Sequence, residues 1–240
     1  MADIHIDPRL DPRVVKPVFA RTGRVHLPGF LDEGSARVLH AALSEDTPWR
    51  RSLIVDGRSM QMDPEELAAL PEERQAAIEA DVMRRARDGF QYAFDSWAVS
   101  DEIEAGRRIG HPAEAFYDLI NSRAFFRWIE QATGESRAVY ADAQCTRYGP
   151  GDFLTGHTDA AEGKHRLFAY VMNLTPTWTA DWGGLLAFID GDGHVSEAFT
   201  PAWNALNIFR VPQPHCVTSV APFAGGRRLS ITGWIRAKRP

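Results

Sequence analysis

From about residue 136 to residue 236 the chain is cut into short runs in which apolar side chains recur at every second position, and this pattern narrows what it can fold into. The runs are Arg137–Tyr148, Phe153–His157, Leu167–Leu174, Leu185–Ile189, Val195–Phe199, Ala205–Phe209, Cys216–Val220 and Leu229–Arg236. Turn-forming residues separate them: Pro150-Gly151, Trp182-Gly183-Gly184, Asp190-Gly191-Asp192-Gly193 and Gly225-Gly226. A period of two belongs to a strand with one face buried. Strands spaced by roughly 8–15 residues predict a sandwich or a closed barrel.

The first half reads differently. Arg24–Leu31 suits a short strand, and Asp32 offers a carboxylate cap to a helix ending near Ser44. Asp63-Pro64 pairs a cap with proline at the first helical position, where the missing N–H costs nothing, so one or two helices should run to about Arg87. Phe90–Val99 alternates as a strand; Pro112–Asn121 and Ala124–Thr133 read as helices split near Ser122. Residues 56–63 and 100–112 read as polar loops on a rim. The expected class is α+β. Residues 1–135 form a mainly helical support with one or two added strands, residues 136–240 form the β core, and the whole is one compact unit.

Net charge is -5 over 240 residues. A surface built to track phosphates needs a basic excess, so no nucleic-acid partner is expected. No apolar run approaches the ~20 residues that cross a bilayer, so no membrane partner is expected. The opening MADIHIDPRL lacks the cationic and apolar regions of a signal peptide. Cys145 and Cys216 are isolated and read as reduced thiols, which predicts a cytoplasmic location.

The chemistry begins with His157-Thr158-Asp159. On a strand, residues two apart share a face, so an imidazole and a carboxylate at this spacing can reach one ion. Such a triplet is common by chance. His215, in Val211-Pro212-Gln213-Pro214-His215, opens a later strand and offers the distant third ligand of a two-histidine, one-carboxylate iron site, a geometry that leaves positions open for substrate and O2. The closing run Arg228–Trp234 carries the most weight. Leu229, Ile231 and Ile235 share one face, whereas Arg228, Ser230, Thr232 and Trp234 share the other. If the aliphatic face packs outward, Arg228 and Thr232 point into the barrel. A buried guanidinium needs an anion, and its planar fork matches a carboxylate. Arg227 is the rival; Arg228 is favoured by its parity with Thr232.

These residues resemble the Fe(II)/2-oxoglutarate-dependent dioxygenases, in particular the prolyl-4-hydroxylase-like branch. The resemblance spans about Arg137 to Arg236. It rests on an ordered series: Tyr148-Gly149-Pro150-Gly151, His157-x-Asp159, Arg166 opening a strand that ends Asn173-Leu174, Gly183-Gly184-Leu185-Leu186, Pro214-His215, then Arg228 with Thr232 and Trp234. It implies a double-stranded β-helix, or jelly-roll, core. By resemblance, His157, Asp159 and His215 ligate Fe(II), Arg228 binds the distal carboxylate of 2-oxoglutarate, Thr232 assists, and Tyr148 lies beside the co-substrate. Asn173 stands where many relatives carry an aromatic residue, and replaces that contact. The implied activity is hydroxylation of a C–H bond, in a prolyl residue, a peptide or an amino-acid-like molecule, with O2 consumed and succinate and CO2 released. Ascorbate is admitted as a reductant. Two alternatives stay open: a cupin-like metal enzyme that does not use 2-oxoglutarate, and a non-catalytic ligand-binding barrel.

Overall fold

A computed structural model describes residues 3–239; residues 1, 2 and 240 of the two expected regions lie outside the described residues. Asp11 caps α1 (Pro12–Thr22) by accepting from the Arg13 N–H, with proline at the first position. This helix was not expected, although Asp11-Pro12 carries the same signal as Asp63-Pro64. Six helices follow: α2 (Glu33–Glu45), α3 (Pro64–Ala68), α4 (Glu72–Asp88), α5 (Val99–Glu104), α6 (Pro112–Ile120) and α7 (Arg123–Thr133). No helix of the described residues is long and apolar enough to cross a membrane.

Four strands come from the first half: β1 (Arg24–Pro28), β2 (Arg50–Val55), β3 (Arg58–Met62) and β4 (Tyr92–Trp97). The expectation of one or two added strands is thus corrected, and so is the loop at 56–63. β2 and β3 form a hairpin whose two-residue turn, Asp56-Gly57, has positive φ at both positions, 51° and 76°. Asp-Gly between paired strands is a strong hairpin signal. It was hidden because β3 is polar and exposed, so no alternation marks it. α5 also takes up the start of the loop expected at 100–112.

The second half supplies β5 (Tyr140–Ala141), β6 (Gln144–Tyr148), β7 (Phe153–His157), β8 (Arg166–Asn173), β9 (Leu186–Ile189), β10 (Val195–Phe199), β11 (Ala205–Arg210), β12 (His215–Val217) and β13 (Arg228–Arg236). Two antiparallel rows result, β11-β8-β13-β6 and β7-β12-β9-β10. β4 joins them. Its end, Asp95–Trp97, pairs with β6, and its start, Tyr92–Ala93, pairs with β7. The outer faces of β8 and β13 turn Met172, Leu229, Ile231 and Ile235 against helical residues such as Phe19, Leu39, Phe116 and Ile129. Fully burying each such side chain contributes about 1.5–3 kcal/mol. The opposite faces enclose a cavity.

An ion network fastens the β2–β3 hairpin to the barrel. Asp95, nearly buried, accepts from Arg147 at 2.8 and 3.0 Å and from Arg51 at 3.3 Å. Arg51 also pairs with Asp152 at 2.6 Å. Arg51 is therefore a clamp between two carboxylates. Removing Asp95 would leave the half-buried Arg147 guanidinium without a carboxylate and Arg51 with Asp152 alone. The Asp95→Ala variant should lose about 3 kcal/mol in denaturant unfolding, whereas Arg37→Ala, which breaks only the exposed pair with Glu33, should change stability by less than about 0.5 kcal/mol.

Candidate metal centre

His157 ends β7 and His215 begins β12; the two are direct register partners. Their ring centroids lie 4.1 Å apart. Asp159 joins them, with one carboxylate oxygen 3.5 Å from Nε2 of His157 and the other 3.4 Å from Nε2 of His215. One ligand atom from each of the three falls within 4.8 Å of the others.

Strand parity does not deliver the aspartate. β7 stops at His157, and Asp159 sits in the left-handed backbone region at φ 61°. Aspartate is among the few non-glycine residues that occupy this region readily. The turn, not the ladder, swings the carboxylate back over the imidazoles. Arg166 Nη1 donates to the Asp159 carbonyl at 2.8 Å and holds the turn.

Both imidazoles are oriented from behind. His157 Nδ1 lies 3.0 Å from the Thr155 carbonyl, and His215 Nδ1 lies 2.8 Å from that of Gln213. A carbonyl only accepts, so Nδ1 carries the proton and Nε2 presents its lone pair to the centre. This is the arrangement metal-binding histidines take. Burial, then the charge of His157 beside it, pushes the His215 pKa down to about 4. For Asp159 burial pulls upward, but the facing imidazoles of His157 and His215 outweigh it and hold the carboxyl below its usual range. Two neutral nitrogen donors and one ionised carboxylate suit a divalent ion.

The triad opens on a cavity of about 790 Å³, and Arg228 lies in its wall. Arg228 is 1% exposed. Among the described residues no carboxylate pairs with it, and its Nε has no partner. Its guanidinium stands 4.9 Å over the Tyr148 ring, which stacks on Phe94. Burial holds the Arg228 pKa below its usual value, and Tyr148 only partly offsets this. Arg227 is placed differently: it is more than half exposed and reaches Asp95 at 3.9 Å.

Thr232 and Trp234 line the same cavity as Arg228, so the parity of β13 is the one expected. Asn173 is buried, but it is not in the lining; its Nδ2 donates to the Ala205 carbonyl at 3.2 Å and its Oδ1 has no partner. Trp178 and Trp182 do not cover the mouth. They pack edge to face outside the lining, where a Cβ on Gly184 would lie 3.3 Å from Trp178 and 3.4 Å from Arg228. His165 is exposed and apart from the triad. The sequence reading missed Asp142, Gln144 and Thr146, which line the cavity in step with Tyr148. The period-two rule applied to β6, as to β13, selects them. It also missed Asp142 as the partner of Arg236 and as the acceptor for the Trp234 N–H at 2.6 Å.

Comparison with known proteins bears on this geometry. Residues 143–236 match the family model of the 2OG-Fe(II) oxygenase superfamily. The prolyl 3-hydroxylase OGFOD1 of Xenopus laevis is 33% identical over 117 residues, 46% of this chain and 22% of that protein. The chain thus spans about a fifth of the length of the curated relatives it matches. A prolyl-4-hydroxylase from Pseudomonas putida superposes with a TM-score of 0.59 at 19% identity, covering 95% of this chain and all of that one. A prolyl hydroxylase from Trichoplax adhaerens, solved with a hypoxia-inducible-factor oxygen degradation domain peptide fragment, gives 0.62 at 14% identity over 94% of this chain and 89% of that one. At these identities the superpositions establish the fold: the barrel is a double-stranded β-helix.

In the metal-free protein, the depressed His215 pKa sets a pH dependence. The unfolded imidazole titrates near 6.5 and the folded one near 4, so between these values the unfolded chain binds the extra proton. Stability should therefore fall as pH drops through this window. Urea unfolding at steps from pH 7 to pH 5 should show the loss, and His215→Gln should flatten it.

Proposed function

We propose, from the match of residues 143–236 to the family model of the 2OG-Fe(II) oxygenase superfamily, that the chain is an Fe(II)- and 2-oxoglutarate-dependent dioxygenase that hydroxylates a C–H bond in a prolyl residue of a peptide or protein. The prolyl hydroxylases among its relatives and structural neighbours support the substrate class. Arg228 carries the co-substrate reading: a guanidinium buried without a protein anion is a cradle for a dicarboxylate. A metal barrel without 2-oxoglutarate has no use for it, and a non-catalytic barrel has no use for two Nε2 lone pairs aimed at one carboxylate.

His157, Asp159 and His215 would hold Fe(II) on one face and leave the cavity side open. Bound Fe(II), with 2-oxoglutarate and O2, supplies the oxidising chemistry, and succinate and CO2 leave. The chain's own residues bind and orient. Arg228 would take the far carboxylate with paired N–H donors, Tyr148 supports its plane from below, and Thr232, on the same strand face, offers a hydroxyl. Asn173 lies behind this set, where its amide would position and not touch. The apolar wall of Val171, Leu186 and Phe209 keeps water from the reacting centre and fixes the co-substrate within an ångström or so.

Residues 1–135 and 136–240 act as one folding unit in this reading, supported by a core that draws on both, from Ile4 to Ile235. A cytoplasmic location is supported by two free cysteines, Cys145 and Cys216.

Anaerobic titration of the Fe(II)-loaded protein with 2-oxoglutarate should give a saturable visible charge-transfer band. Arg228→Gln should keep its iron but raise the apparent Kd for 2-oxoglutarate by at least about tenfold, the loss of a charge-assisted pair. Asp159→Ala should lose both iron and band. Stoichiometric iron with no band at any 2-oxoglutarate concentration would sink the co-substrate assignment.

A further inference from the structure

A second hollow, of about 450 Å³, lies outside the metal cavity, between the loop bearing Lys164 and His165 and the C-terminal segment bearing Lys238 and Arg239. Arg236 lines both the hollow and the cavity, so the two adjoin. The Ala237 N–H donates to the His165 carbonyl at 2.9 Å and ties segment to loop. Four cations, Lys164, Arg236, Lys238 and Arg239, face one acid, Glu162. Arg236 is paired with Asp142. Among the described residues no carboxylate forms an ion pair with Lys164, Lys238 or Arg239. On the cavity side Arg166 is a further cation without a carboxylate partner; it stacks 3.5 Å over Trp234. A patch of this sign is notable on a chain of net charge -5, and it concentrates anionic ligands beside the metal cavity.

We propose that this hollow seats an acidic stretch of a peptide substrate, next to the residue that enters the metal cavity. The inference rests on the reading of the chain as a peptide-directed oxygenase. The reach of the patch favours a polymer. Of this patch, a small acid inside the cavity meets Arg166 and Arg236 alone, whereas an extended chain, at about 3.3 Å per residue, passes Arg236 and continues to Lys238 and Arg239. The chemistry favours a peptide over a nucleic acid. Among the described residues no Phe, Tyr or Trp lines the hollow, and single-stranded nucleic acid is held on aromatic platforms as well as on cations.

The test is fluorescence anisotropy with three labelled prolyl peptides that differ only in flanking residues, glutamate, glutamine or lysine, on the metal-free protein and the iron-loaded protein. Succinate release is followed in parallel. The wild type should bind the glutamate peptide about tenfold more tightly than the glutamine one, and salt should erode the difference. K164E/K238E should abolish or invert that preference, and the milder K164Q/K238Q should reduce it. Neither position belongs to the metal or co-substrate set. Equal affinity for the glutamate and glutamine peptides, or a preference untouched by charge reversal, overturns the proposal. So does a single-stranded oligonucleotide of equal charge that displaces the labelled peptide better than unlabelled glutamate peptide does. Charge-dependent binding with no peptide-stimulated succinate retires the hydroxylase reading but keeps the docking surface. Succinate formed equally with glutamate and glutamine peptides does the reverse.

Discussion

A guanidinium buried without a counter-charge is the costliest thing in this barrel, and much of the architecture exists to tolerate it. Desolvating an unpaired ion costs several kcal/mol even after relaxation. Arg228 is held in place by the strand that carries it. The outer face of β13 sends Leu229, Ile231 and Ile235 into the largest core cluster. The inner face carries Arg228, Thr232 and Trp234 to the cavity. One nine-residue strand thus sets the stabilising burial and the destabilising charge on opposite sides. The cost of the buried charge on one face is offset by the packing of the other.

The first half of the chain is part of the same construction. β4 crosses from one sheet to the other, and its Asp95 gathers Arg51, Arg147 and Arg227 on a single carboxylate. The hairpin it secures brings Ser52, Ser59 and Gln61 to the cavity wall. The helices press on the opposite side of β8 and β13. Cavity shape therefore depends on residues outside the segment, 143–236, that matches the family model.

The β core was legible because alternation, turn residues and the parity of Arg228 with Thr232 are local signals, and jelly-roll strands obey them. His157, Asp159 and His215 were found by type and order, though strand parity was the wrong physical account of Asp159. What escaped did so for different reasons. β3 is a polar edge strand ordered by its ladder, and α1 was passed over despite its cap. Asp142 follows the parity of β6, but its bond to the Trp234 N–H depends on Gly233, far away in sequence. A Cβ there would stand 2.1 Å from the Asp142 carbonyl oxygen, so glycine alone permits the approach. Long-range contacts of that kind leave no periodic trace.

The left-handed backbone at residue 159 separates two things that most ligand positions join. Along a ladder strand, a change of residue alters side chain and strand preference together. Here the turn would be as comfortable, or more so, with glycine, because only the missing Cβ relieves a positive φ. A single substitution can therefore remove the anionic ligand while leaving His157, His215 and the loop where they are. The fold carries at this point a position where the carboxylate can be lost without any rebuilding of the barrel.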